Sequence, residues 1–156
     1  MNILLIGCAG AGKTWVMKSL VLQRKCLKTL KIGKIYCHTN DFVVVLGKYD
    51  NTMYEGSDRL SMSVLTDLDR FKAWASDKIV LAEGDRFMNN TYISKMQPII
   101  IKILDDGKLG RSKRGSRQTP RQLKTITTRV GNIDAHYDVE NSTEAYALIK
   151  RLIDEV

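Results

Sequence analysis

The chain has 156 residues, 44% of them hydrophobic and 27% charged. That length and balance fit one globular domain and exclude a disordered chain, a collagen-like repeat or a membrane bundle. Lys and Arg number 25 against 17 Asp and Glu, a formal charge of +8. Eight of the basic residues, Lys108, Arg111, Lys113, Arg114, Arg117, Arg121, Lys124 and Arg129, fall between Gly107 and Val130 with no acid among them. Set aside, they leave 17 of each sign, so the excess is one local device suited to a phosphate-rich ligand.

Asn2 to Ile6 is an apolar run too short for a helix and reads as a strand buried on both faces. No basic n-region or cleavage site stands there, and no apolar run approaches a membrane span, so neither export nor a membrane partner is expected and a cytoplasmic location is. From Lys13 to about Lys25, Val16, Met17, Leu20 and Val21 recur at helical spacing. Ile32–Cys37 and Phe42–Leu46 read as strands joined by a turn over His38, Thr39, Asn40 and Asp41. Gly47 to Ser61 has no period and reads as a ligand-serving loop. Leu60, Val64, Leu65, Leu68, Phe71 and Trp74 or Ala75 mark a helix, and Lys78–Ala82 another buried strand. A short helix over Phe87–Met96 stops at Pro98, and Ile99–Leu104 is the next strand.

The basic segment opens as a mobile loop over Gly107–Gln118. Thr119 as N-cap and Pro120 in the first turn predict a helix from Pro120 to about Val130. Ala135–Val139 reads as an edge strand, and Asn141 with Glu144 as a capping pair for a final helix over Thr143–Glu155. Strands alternating with helices predict a parallel α/β sheet in a single domain over 1–156. Cys8, Cys26 and Cys37 show neither CxxC nor Cys/His spacing, and their odd number predicts reduced thiols. His38 and His136 lack a paired ligand or nucleophile and read as structural.

Gly7-Cys8-Ala9-Gly10-Ala11-Gly12-Lys13-Thr14 fits GxxxxGK[ST] between a buried strand and an amphipathic helix. The amides of Gly7, Gly10, Ala11 and Gly12 would surround phosphate oxygens, Lys13 would reach the β and γ phosphates, and Thr14 would complete a magnesium shell. A dinucleotide loop would space its glycines differently and has no use for Lys-Thr. No NKxD element of guanine-selective GTPases occurs. Alcohol acceptors benefit from a carboxylate that takes the proton. Asp41, otherwise a turn former, and Asp58, otherwise a helix cap, are the two candidates. Tyr49, Tyr54 and Phe42 are candidates to stack on a base.

The phosphate loop, the Glu83-Gly84-Asp85-Arg86-Phe87 stretch after a buried strand, and an arginine-rich segment after the next strand follow in order. Through these the chain resembles the small P-loop nucleotide and nucleoside kinases, most of all the thymidylate-kinase-like group. The resemblance implies a three-layer P-loop NTPase fold with a mostly parallel central sheet and a basic lid at about 105–119. It implies ATP and Mg2+ as cofactors, Arg86 on the transferring phosphates, and Glu83 or Asp85 at the metal. Arg111, Arg114 and Arg117 would be the lid arginines.

Between Ile32 and Ser61 the acceptor-binding helices and arginines of monophosphate kinases are not matched. The stretches Leu46–Asp50 and Glu55–Met62 are similar in arrangement to phage P-loop kinases proposed to phosphorylate 5-hydroxymethyluracil in DNA. That resemblance implies a hydroxymethylated pyrimidine in DNA as acceptor. It agrees with surplus charge over 108–129 that nucleic-acid phosphates would use. A nucleoside or nucleoside monophosphate kinase, and a nucleotide-dependent DNA-binding module without transfer, stand as alternatives; no protein partner is expected.

Overall fold

The computed structural model describes residues 1–50, 55–113, 115–116 and 118–156. Its strands are β1 (Asn2–Ile6), β2 (Lys28–Ile32), β3 (Ile35–Thr39), β4 (Val43–Leu46), β5 (Ile79–Glu83), β6 (Ile99–Ile103) and β7 (Tyr137–Val139). They form a seven-stranded sheet in the order β2-β3-β4-β5-β1-β6-β7. β4, β5, β1, β6 and β7 run parallel to one another, and β2 and β3 extend the β4 edge as antiparallel strands. The apolar runs take the middle: Leu4 lies opposite Ala82 on one side and Ile100 on the other, covered on both faces as an all-apolar strand requires.

Helices α1 (Lys13–Gln23) and α6 (Ser142–Asp154) cover one face; α2 (Leu68–Trp74), α3 (Asn90–Met96) and α5 (Pro120–Gly131) cover the other. Ile3, Leu5, Val45 and Leu81 meet Val16, Leu20 and Ile149 on the first face. Leu4, Ile6, Val44 and Val80 meet Phe71, Phe87 and Tyr92 on the second. Each such side chain contributes about 1.5–3 kcal/mol by leaving water. Among the described residues no helix is long and apolar enough to cross a membrane.

Four stretches differ from the sequence expectation. The run Ile32–Cys37 is interrupted by a two-residue turn in which Gly33 takes φ +57, so it divides into β2 and β3. β2 is an edge strand whose exposed Lys28 and Lys31 suit an edge that must not pair with another chain. The expected helix from Leu60 is 3-10 turns at Ser57–Arg59 and Val64–Asp67 before α2. There Asp67 Oδ2 accepts from the Lys34 amide at 2.8 Å and Ser63 Oγ accepts from Lys34 Nζ at 2.8 Å, holding the stretch against the β2–β3 turn. α3 starts three residues late, at Asn90, because Asn89 Oδ1 accepts from the Tyr92 amide and caps it. The expected mobile loop over Gly107–Gln118 contains a helix, α4 (Lys108–Lys113), seeded by Asp105 and Asp106 accepting from the amides of Gly107 and Lys108.

The two caps read from sequence are present. Thr119 Oγ1 accepts from the Gln122 amide and Gln122 Oε1 accepts from the Thr119 amide, a reciprocal box at the start of α5. Asn141 Oδ1 accepts from the Glu144 amide, while Glu144 reaches one residue further back to the Glu140 amide.

Candidate active site

β1 ends at Ile6 and α1 starts at Lys13, so the glycine-rich turn between them lies at the carboxyl end of the central strand. That is where open α/β sheets form their crevice. Gly10 and Gly12 take φ +84 and +96, left-handed values that residues with a β-carbon resist. The turn closes by the Ala11 amide donating to Cys8 O at 3.1 Å. Lys13 Nζ folds over it, donating to Gly7 O at 2.9 Å and Cys8 O at 3.0 Å. The glycine-rich turn, the Lys13 ammonium group and the amino end of α1 thus lie together, with the Ala11 amide and Lys13 Nζ engaged by the turn's own carbonyls; such a turn at a helix amino end is a surrounding suited to an anion.

A cleft of about 450 Å3 surrounds this turn, lined among others by Gly12, Lys13, Thr14, Asp58, Glu83, Asp85 and Arg86. Residues singled out from three separate stretches of the sequence, 12–14, 58 and 83–86, therefore meet. Glu83, at the end of β5, is 3% exposed. Its Oε1 accepts from Tyr49 Oη at 3.2 Å and from the Ser57 amide at 3.3 Å. Burial pushes the Glu83 carboxyl above its usual range; the charge of Lys13 pulls the other way, and Asp58 adds to the rise. Burial pushes the Tyr49 phenol well up, with the Glu83 charge adding to it.

A β-carbon on Gly56 would stand 2.7 Å from Glu83 Oε1 and 3.1 Å from Thr14 Oγ1, so the carboxylate and the hydroxyl border the same glycine. Beside them the Ser57 hydroxyl is buried without a hydrogen-bond partner among the described residues, and one β-carbon on Gly84 would approach it to 2.7 Å. Thr14, Glu83 and the orphaned Ser57 hydroxyl all offer oxygen ligands. They fit a hard divalent cation that keeps several waters. Asp85, the other carboxylate expected at a metal, is paired with Arg129 of α5.

Arg86 lines the cleft and donates from Nε to Leu60 O at 3.3 Å. Arg111 donates from Nη1 to Ala9 O and to Asp106 O, each at 2.7 Å, so its guanidinium holds the backbone of the glycine-rich turn. The surfaces meet without side chains between them: a β-carbon on Gly110 would lie 2.0 Å from Gly10 O. Arg114, Arg117 and Tyr54 lie outside the described residues.

The expectation for Asp41 is corrected. It precedes β4, at the amino ends of the parallel strands, and its carbonyl accepts from Lys78 Nζ at 3.3 Å; the phosphate loop is at the opposite ends. The turn there is made by Asn40, whose Oδ1 accepts from the amides of Phe42 and Val43. Phe42 shares that remote position, and Tyr49 is buried against Glu83, so neither presents a ring to a base in the cleft. Sequence reading missed Trp15, which lines the cleft, and the roles of Ser57 and of the Tyr49 hydroxyl. For Trp15 the available signal was its place directly after Lys13-Thr14.

No known protein family and no curated protein matches the chain. Among solved structures it is similar to a deoxyadenosine kinase from M. mycoides, described with products dCMP and a flexible dCDP bound, at TM-score 0.51 and 11% identity over 100% of both chains. At that identity the likeness concerns the fold alone, here helices on both faces of a mostly parallel seven-stranded sheet.

Proposed function

We propose that the chain is a phosphotransferase that moves the γ-phosphoryl group of a nucleoside triphosphate to a hydroxyl of a nucleotide-type acceptor. The observation that carries this reading is the meeting of Lys13 and Thr14 with Asp58, Glu83 and Arg86 in one cleft. The loop amides and Lys13 hold the polyphosphate, and Arg86 offsets charge on the equatorial oxygens. The acceptor oxygen forms its bond to the γ phosphorus as the bond to the β–γ bridging oxygen breaks. The nucleoside diphosphate leaves, and the acceptor proton passes to Asp58, which is exposed and lines the cleft. Thr14 and Glu83 would hold Mg2+, which supplies positive charge to the β and γ oxygens when bound. The stretch 105–119, packed on the loop through Gly110 and Arg111, acts as the lid in this reading, and 1–156 as one domain.

The acceptor we favour is the hydroxymethyl group of 5-hydroxymethyluracil in DNA. The exposed side of α5 supports it: Arg121, Lys124, Thr125, Thr128 and Asn132 recur at helical spacing along a shallow groove. No acid lies in that helix, and Arg129 of the same groove reaches Asp85 in the cleft. A free nucleoside or nucleoside monophosphate is the second reading, favoured by the likeness to a deoxyadenosine kinase. Labelled ATP offered with modified duplex DNA or with free nucleosides and nucleotides separates the two. Label in DNA, with an affinity that falls steeply as salt rises, is the expected result. Label in mononucleotides alone contradicts the DNA acceptor and keeps the kinase; label in neither contradicts transfer.

A further inference from the structure

A triphosphate held by the loop must send its nucleoside somewhere, and the two sides of the cleft differ in chemistry. On the β5 side stand Asp58, Glu83, Asp85 and Arg86, suited to a metal and to transferring phosphate. On the other side of the loop lies α6, which packs along α1. Its first residue, Ser142, abuts the turn, since a β-carbon on Gly12 would stand 2.7 Å from Ser142 Cβ. One turn further, the ring of Tyr146 lies 5.9 Å from that of Trp15, tilted by 55°. Trp15 is 50% exposed and lines the cleft. It is the residue after Thr14, in the first turn of α1.

We infer that Trp15, backed by Tyr146, is the platform on which the donor's nucleobase stacks, and that it accepts adenine and guanine alike. The inference rests on the phosphate loop binding a nucleoside triphosphate. A half-exposed indole beside a polyphosphate site offers a flat apolar face, and every base has a face to match it. Tyr146 fixes the indole in place, so little side-chain entropy is lost when a base arrives. Selectivity between bases would need polar groups aimed at base edges. At the start of α6 the two longer polar side chains are already engaged locally, Asn141 Oδ1 accepting from the Glu144 amide and Glu144 Oε2 from the Glu140 amide.

Calorimetric titration of the wild type, Trp15→Ala and Trp15→Phe with ATP, GTP and inorganic tripolyphosphate, each with Mg2+, tests this. ATP and GTP should bind within about threefold of each other and about tenfold or more tighter than tripolyphosphate. Trp15→Ala should bring ATP to the affinity of tripolyphosphate, while Trp15→Phe keeps most of the advantage. Tryptophan emission should change with ATP and not with tripolyphosphate. The second tryptophan, Trp74, packs on Phe71 at the other face of the sheet, so the change reports Trp15. An undiminished advantage of ATP in Trp15→Ala, or tripolyphosphate binding as tightly as ATP in the wild type, overturns the platform and leaves the loop reading standing. A strong preference for one purine overturns the base tolerance. Failure of all three ligands to bind overturns the loop reading, and the platform with it.

Discussion

Tyr49 donates its phenolic hydroxyl to Glu83 Oε1 across 3.2 Å, and both side chains are buried. The bond joins the loop after β4 to the end of β5 and fixes one oxygen of the carboxylate beside Thr14. It also favours the ionised carboxyl, against the burial that raises it. Tyr49→Phe should therefore raise the Glu83 value further, so that the carboxyl keeps its proton to higher pH. We expect Mg2+ affinity to fall about 10- to 100-fold, as when a group orienting a metal ligand is removed. The acid limb of the pH–rate profile should move upward. Metal titrations at two pH values check both.

His38 is 6% exposed, and its Nε2 accepts from the Tyr49 amide at 3.0 Å. Burial holds its value below the ordinary 6.5, against the opposing charges of Asp50 and Glu55. Below 6.5 the unfolded chain takes up a proton that the folded chain refuses. Stability should thus be full above pH 6.5 and fall as pH drops through 6.5 toward the lowered folded value. Denaturant melts at pH 7.5 and 5.5 should show this loss, and His38→Gln, which keeps an acceptor but cannot titrate, should show a smaller one.

Asp58 and Asp41 give opposite expectations. Asp58→Asn should lower kcat about 10²- to 10⁴-fold with a hydroxyl acceptor while ATP affinity is kept. Asp41→Asn, at the far ends of the strands, should leave kcat unchanged. Steady-state kinetics on the two variants, with ATP binding measured separately, decides whether Asp58 takes the proton.

Gly110 of α4 and Gly131 of α5 should respond in opposite directions to alanine. At Gly110 the new β-carbon would meet Gly10 O at 2.0 Å, and backbone cannot yield as a side chain does. Gly110→Ala should separate α4 from the phosphate loop, weaken ATP binding and expose the 105–119 stretch to trypsin. At Gly131, the last residue of α5, nothing lies within 4 Å. Gly131→Ala should stabilise the fold by about 0.4–1 kcal/mol, read from denaturant midpoints.

Legibility followed physics. The apolar strands, the strand–glycine–helix join and the caps at Thr119 and Asn141 were readable because each is local: a period, a spacing or a side chain reaching three residues along. β2 was not, since an edge strand with Lys28 and Lys31 facing water has no apolar run, and the turn that defines it sits inside one. α4 has no apolar period at all; it is held by Asp105, Asp106 and contact with Gly10. Of the cleft, Lys13, Thr14, Asp58, Glu83 and Arg86 were named from sequence. The misplacement of Asp41 arose because strand direction decides which end of a sheet a turn occupies. Tyr49 reads from sequence as a stacking ring, and neither its hydroxyl's role nor that of Ser57 is legible because their partner, Glu83, lies 34 and 26 residues away.

The account depends most on Lys13 and the amides around it taking a nucleoside triphosphate. Titrating ATP with Mg2+ into the wild type and Lys13→Ala, alongside transfer of labelled phosphate, tests that directly. Saturable one-to-one binding by the wild type, with transfer lowered a hundredfold or more in Lys13→Ala, is the predicted result. Equal ATP binding and equal transfer by the two proteins would contradict it.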